Sequence, residues 1–315
     1  MKTLALPMNG NWLIDPRAGR MIQSGLAERM RADTEDVPRM WSAANRDAAK
    51  TPKAIAILPL VGIMEPRASD YTYYFGGTST ERFGQMFDMA IADPQIKAVL
   101  IDGYTPGGMV YGTPELAKKI YSARGSKPIV ALANHMLASA GLWVGTAADR
   151  VYVTPSGDIG SHGVYSMHVD YSKMLEGDGV KVTFISAGAH KTEGNPYEPA
   201  SQEFLDNEQA GVNDIMGEFT AALAKHRGVT TAHVTEKFGQ GRLLSAKAAV
   251  EAGMADGIAT FDQIVARLLS GHIRTDSAAA NDDWESPVQE EEPESPVKRF
   301  GNSQDLRRQL AVARR

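Results

Sequence analysis

A chain of 315 residues, 43% hydrophobic and 23% charged, has the composition of a soluble globular protein. It can hold one α/β core of roughly two hundred residues with extensions at either end. Its formal net charge of -5 supplies no overall basic field for gathering phosphates, which argues against nucleic acid as a partner. The lack of cysteine excludes disulfides, thiolate nucleophiles and cysteine metal sites, leaving hydroxyl, imidazole, carboxylate or amine chemistry.

Residues 1–50, rich in Met, Arg, Ala and Asp, read as an N-terminal extension, with helical spacing but no apolar stripe from Met21 to Lys50. Met1 to Trp12 lacks the basic start and apolar run of a signal peptide. No window reaches the ~18 consecutive apolar residues of a spanning helix, so no membrane partner and a cytoplasmic location are expected. A core domain is expected over 51–270. Ala54 to Met64 reads as one or two buried strands. Ser79 to Asp93 reads as an amphipathic helix, because Phe83, Met86, Phe87, Ala90 and Ile91 share one face.

Ala98–Asp102 predicts a strand, and Thr113-Pro114-Glu115 predicts a helix start with a hydroxyl cap and proline at the first position. Ile129–Ala133 predicts the next strand, Ala138–Ala148 a helix and Val151–Val153 a short strand. Val182–Ser186 predicts a further strand. Ser201–Arg227 predicts a long helix with Phe204, Leu205, Val212, Ile215, Phe219 and Leu223 available for packing. Ser245–Gly253 and Phe261–Leu269 predict the closing helices. Such alternation specifies an α/β fold with a mostly parallel sheet joined by crossover helices. Residues 271–315 read as a disordered charged tail, acidic and proline-containing from Asp282 to Glu294, with Glu-Ser-Pro-Val twice and four arginines after Leu306.

Three segments carry residue types suited to acyl transfer. Thr105-Pro106-Gly107-Gly108 follows a strand, and two glycines allow close backbone approach with N–H groups turned toward an oxyanion, although Pro-Gly-Gly is also an ordinary turn. Ser139, within Asn134-His-Met-Leu-Ala-Ser-Ala-Gly-Leu-Trp143, stands at a strand-to-helix junction, where a serine serves either as a helix cap or as a hydroxyl presented to a ligand. Lys191, in Ser186-Ala-Gly-Ala-His-Lys191, is on its own a solvated surface charge; a lysine acts as a base only when neutral. Met136 and Trp143 are candidates for lining a groove or for packing beneath the helix. The histidines are not paired at metal-ligand spacing, so neither a metal nor a cofactor is expected.

In this order, Asp102-Gly-Tyr-Thr-Pro-Gly-Gly-Met-Val110, Ala131–Asn134, Ser139-Ala-Gly141, Ile159-Gly-Ser-His-Gly-Val164 and Ser186–Lys191 with Gly194-Asn-Pro-Tyr197 resemble the family S49 serine peptidases, signal peptide peptidase A-like. The likeness is strongest to the tailed-phage head maturation proteases. It implies a ClpP/crotonase-like fold and a Ser/Lys dyad, with Ser139 as nucleophile, Lys191 as general base, and Gly107 and Gly108 at the oxyanion. The family usually has an apolar residue where His162 stands, and related ClpP-type enzymes use a downstream histidine as base. His162 with an acid such as Asp170 is therefore the alternative base, and His190 is expected to shape the lysine loop.

The resemblance further implies a protein or peptide substrate, a ring-like homo-oligomer, a scaffold or portal protein as partner, and a place in the host cytoplasm or procapsid interior. The expected function is cleavage of scaffold and capsid-assembly proteins. A soluble bacterial S49 housekeeping peptidase, a non-catalytic assembly protein on the same fold and an acyl-CoA enzyme of the crotonase kind are the alternatives.

Overall fold

The apolar runs become the strands of one sheet. The computed structural model describes residues 12–14, 54–69, 72 and 76–273, all within a compact unit, Met1–Ser277. The helical spacing read at 21–50 and all but the first three residues of the tail read at 271–315 lie outside the described residues, and of those three Ile273 is buried.

The strands are β1 (Trp12–Ile14), β2 (Ala54–Glu65), β3 (Gly77–Ser79), β4 (Ile96–Met109), β5 (Ile129–Ala138), β6 (Arg150–Val153), β7 (Asp158–Gly160), β8 (Leu243–Ser245) and β9 (Gly257–Ile258). Their order is β3-β2-β4-β5-β6-β9, with every neighbour on that path parallel. β7 continues the sheet beside the end of β5 and pairs antiparallel with β8, and β1 pairs antiparallel with β4. The expected mostly parallel α/β sheet is therefore present.

The helices are α1 (Thr80–Ala92), α2 (Thr113–Ser122), α3 (Ala140–Gly145), α4 (Ser172–Gly177), α5 (Gln202–Arg227), α6 (Thr231–Lys237), α7 (Ala246–Glu251) and α8 (Phe261–Ser270). Hydroxyls set their starts: Ser79, Ser201, Ser245 and Thr260 each accept a backbone N–H of the first turn. α2 departs from the expectation. Its cap is Gly112 at φ 82, and Thr113 instead donates its hydroxyl to the Met109 carbonyl. Phe83 and Phe87 of α1 are buried, as the apolar stripe predicts, each contributing about 2–3 kcal/mol by leaving water.

Strand residues alternate between two covered faces. Val99, Ile101, Ala131, Ala133, Val151 and Val153 join the cluster that includes Phe83, Phe87 and Leu116, while Leu100, Val130 and Leu132 are buried on the other side. That double burial is why the runs read as continuously apolar.

Two expectations fail in one region. Residues 182–186 form no strand, and every residue from 176 to 191 is exposed. A strand needs a partner ladder for its backbone groups, and here none pairs with this segment among the described residues. In α5 only the carboxyl-terminal half is buried, through Phe219, Thr220, Leu223, Ala224 and His226, whereas Leu205 is exposed. The first half instead supports the 164–200 segment: Ser166 Oγ donates to Glu208 at 2.7 Å, and His168 sits edge-on to Phe204 with its ring bonded to the Asn195 carbonyl. Segment and half-helix together make an arm carried by α5.

Candidate active site

Ser139 owes its position to a break in β5. Gly103 pairs with Ala133 but Tyr104 with Met136, so Asn134 and His135 are extra residues on β5. His135 takes φ 94, its N–H donates to Thr154 Oγ1, and the Asn134 amide donates to Asp102 Oδ1 at 2.9 Å. Burial raises the Asp102 carboxyl, against the lowering effect of that hydrogen bond. Beyond the bulge β5 shifts from β6 to β7 and ends at Ala138.

Ser139 follows at φ 54 and ψ -114, a strained conformation for a residue with a Cβ. Its N–H donates to the Gly160 carbonyl at 2.8 Å and its carbonyl accepts from Trp143 N. The hydroxyl makes no capping bond to α3, so the cap reading of this serine does not hold. Ser139 is fully buried, and its Oγ and His162 Nδ1 are the buried side-chain polar atoms without a partner among the described residues. Gly141 keeps the turn close, since a Cβ there would meet Thr105 Cγ2 at 2.4 Å. Trp143 stacks on Phe219 at 4.6 Å, so it packs α3 against α5 rather than lining a groove.

Gly107 and Gly108 lie one strand away. The last β4–β5 pair is Thr105 with Leu137, and two residues further along each strand stand Gly107 and Ser139. Thr105, quoted above only as part of the turn, fixes its geometry: its Oγ1 donates to the Gly62 carbonyl and accepts the Gly107 N–H at 3.0 Å. Gly107 has φ 100, and a Cβ on Gly108 would fall 2.0 Å from the Met64 carbonyl oxygen. Neither position admits a side chain without moving β2 or the turn.

Arg124, which the sequence did not single out, holds the far end of α3. Its guanidinium donates to the carbonyls of Thr146, Ala147 and Ala148 and to that of His226 at the end of α5. His226 shares a 3.0 Å hydrogen bond with Thr146 Oγ1, and burial, then the nearby cations, push its imidazole down to about 3. Nothing local in the sequence marks this, because the partners lie as much as 102 residues away.

His162 is buried, with Nε2 3.0 Å from Thr220 Oγ1 and its ring edge-on to Phe219. Desolvation pushes its imidazole down to about 4. It shares no hydrogen bond with Ser139. Asp170 is exposed, and its carboxylate accepts the Ser172 N–H, so no Ser139–His162–Asp170 relay is assembled.

Lys191 is exposed on the arm, and its amine has no hydrogen-bond partner among the described residues. One chain therefore does not bring Lys191 and Ser139 together. His190 bonds Glu193 at 2.7 Å, which raises its imidazole, and Glu203 converges on the same pair. Two hollows, of about 410 and 380 Å³, are lined by Leu175, Val180, Val182 and Tyr197 on the arm and by Pro66, Thr80 and Lys119 beside α1. Neither reaches Ser139. No helix among the described residues is long and apolar enough to cross a membrane.

Similarity to known proteins follows the same residues. Capsid assembly protease C of Escherichia phage lambda is 34% identical over 202 residues, 64% of this chain and 46% of that protein. Head-tail preconnector protein GP5 of Enterobacteria phage P21 is 28% identical over 292 residues, 86% of this chain and 58% of that protein. Protease 4 of Salmonella typhi is 26% identical over 178 residues, 56% of this chain and 28% of that protein. The chain thus spans about half the length of the first two relatives, 46% and 58%. Residues 122–272, which contain both Ser139 and Lys191, match the family model of peptidase family S49.

Proposed function

We propose that the chain is a serine endopeptidase acting on proteins of phage head assembly, with Ser139 as nucleophile, Lys191 as general base and the Gly107–Gly108 turn at the oxyanion. The observation that carries this reading is the strained, buried Ser139, whose unpartnered hydroxyl ends a central parallel strand level with a side-chain-free turn. Ligands of open α/β sheets bind at that end of the strands. The names of the phage relatives, a capsid assembly protease and a head-tail preconnector protein, supply the substrate class.

In the proposed reaction Ser139 Oγ attacks the peptide carbonyl as its proton passes to neutral Lys191 Nζ. The turn, with Gly107 N–H already held by Thr105, directs Gly108 N–H toward the negative oxygen. Lys191 then protonates the leaving amine. Neutral again, its Nζ takes a proton from water as the water oxygen attacks the acyl-enzyme, and returns that proton to Ser139 Oγ as the C–Oγ bond breaks.

Exposed Lys191 and closed-off Ser139 favour a site shared between copies. The arm carries exposed Val180, Val182, Phe184 and Ile185, the last 99% exposed, and these side chains suit a second copy of the chain in a ring. Mixing Ser139→Ala with Lys191→Ala protein tests this. Recovered cleavage of a capsid scaffold substrate supports a shared site, and persistent inactivity of the mixture beside an active wild type overturns it. Full activity of purified Ser139→Ala protein overturns the peptidase reading itself.

A further inference from the structure

β4 has two edges. β2 follows one throughout, pairing Ile63 with Gly107 and Met64 with Gly108. β5 occupies the other only as far as Thr105. From Gly107 onward this second edge is the one facing Ser139, and it is not open: β1 is paired to it, with Trp12 opposite Met109, Leu13 opposite Gly108 and Ile14 opposite Gly107. Gly107, Gly108 and Ser139 are all buried. An extended segment added antiparallel to a free strand edge is a general mode of peptide recognition, with affinity supplied by main-chain hydrogen bonds.

We propose that the Gly107–Met109 edge is a seat for an extended peptide and that the chain's own Trp12–Ile14 is its resident, a built-in competitor for substrate. The seat follows from strand register alone; its role as a brake rests on the peptidase reading given above. The antiparallel direction brings Ile14 level with Gly107 and so with Ser139, the position a peptide bond must reach to be attacked. Because the pairing is through the backbone, an incoming chain of almost any sequence displaces the resident if its own side chains find better contacts. Three paired residues can be displaced without unfolding the sheet, since β2 and β5 hold β4 independently.

The test uses the full chain carrying Ser139→Ala, so that cleavage does not blur the result. Adjacent N–H groups on a strand point to opposite sides, so Leu13→Pro together with Ile14→Pro removes at least one ladder bond whichever way the strand faces. Amide hydrogen exchange at residues 107–109 is expected to be slow in the parent and about fivefold faster for each backbone hydrogen bond removed in the double variant. A synthetic peptide of residues 9–17 is expected to restore protection to the double variant. Equal exchange in both proteins, or no effect of the peptide, overturns the seat. In chains retaining Ser139, the proline pair is expected to raise hydrolysis of an unrelated peptide by the same factor, and the peptide to inhibit it. Unchanged hydrolysis overturns the brake. Absence of hydrolysis in every Ser139 chain, beside a positive exchange result, overturns the peptidase reading and leaves the seat standing.

Discussion

Ser139 and Lys191 stand in opposite physical settings. Around Ser139 the backbone is enclosed: β4 and β7 flank it, Gly141 touches Thr105, and the end of α3 is held by Arg124. Around Lys191 nothing encloses it, and every residue from 176 to 191 faces solvent. A nucleophile must be positioned to fractions of an ångström, so it belongs on strands whose register cannot slip. A base on an arm can be delivered by assembly, so its exposure in one chain and its use in a complex are compatible. Substitutions in the two regions should therefore fail differently.

The largest effect sharpens the contrast in activity. Ser139→Ala and Lys191→Ala are each expected to lower peptide hydrolysis by roughly 10⁴-fold or more, because residues acting as a unit lose nearly all their catalysis when either goes. Stability should change by less than about 0.5 kcal/mol for exposed Lys191. Urea unfolding beside initial rates checks both, and a Lys191→Ala enzyme with normal rates breaks the comparison.

Gly108→Ala comes next. Its Cβ would meet the Met64 carbonyl oxygen at 2.0 Å, and backbone cannot swing aside as a side chain can. A loss of about 4 kcal/mol is expected in urea, against roughly 1 kcal/mol for alanine at exposed Gly179, where only the positive φ of 70 opposes a side chain. Arg124→Met should cost about 3 kcal/mol, because it leaves the carbonyls at two helix ends without their charged donor.

Acid should also act on the enclosed region. His162 is held neutral in the fold, its value lowered from 6.5 to about 4 by burial, so the unfolded chain binds the proton more readily. The resulting stability is complete above 6.5 and falls as pH drops toward 4, by about 3 kcal/mol in total. His162→Asn should flatten that part of the pH profile, measured as urea midpoints at neutral and mildly acid pH. A profile unchanged by the substitution breaks the argument. The smallest effect belongs to the arm: Ile185→Ser should leave single-chain stability within about 0.5 kcal/mol while weakening self-association, read by sedimentation.

The enclosed region was also the more legible one. The helix starts read at Ser79, Ser201 and Ser245 coincide with hydroxyl caps, which are local interactions, whereas the one cap named from the sequence, Thr113, gives way to Gly112. The strands announced themselves through double-sided burial. The bulge at Asn134–His135 could not be read, since it is defined by a partner strand, and neither could β1, three residues whose pairing spans almost a hundred positions. Val182–Ser186 has a strand's composition but lacks a strand's neighbour. Ser139 could be located from its junction, whereas Lys191 rested on resemblance to a family pattern, and nothing around it in one chain distinguishes it from other surface lysines.

Arg124 has a mechanical consequence. The helix behind Ser139 and the helix that carries the arm end on the same guanidinium. At about 1.5 Å per residue α5 is a rod near 39 Å long, anchored over only its last turns. Such a rod is a lever with its fulcrum at Phe219 and its short end at Arg124, so torque applied to the distant tip is borne by the same bonds that hold the serine's helix in place.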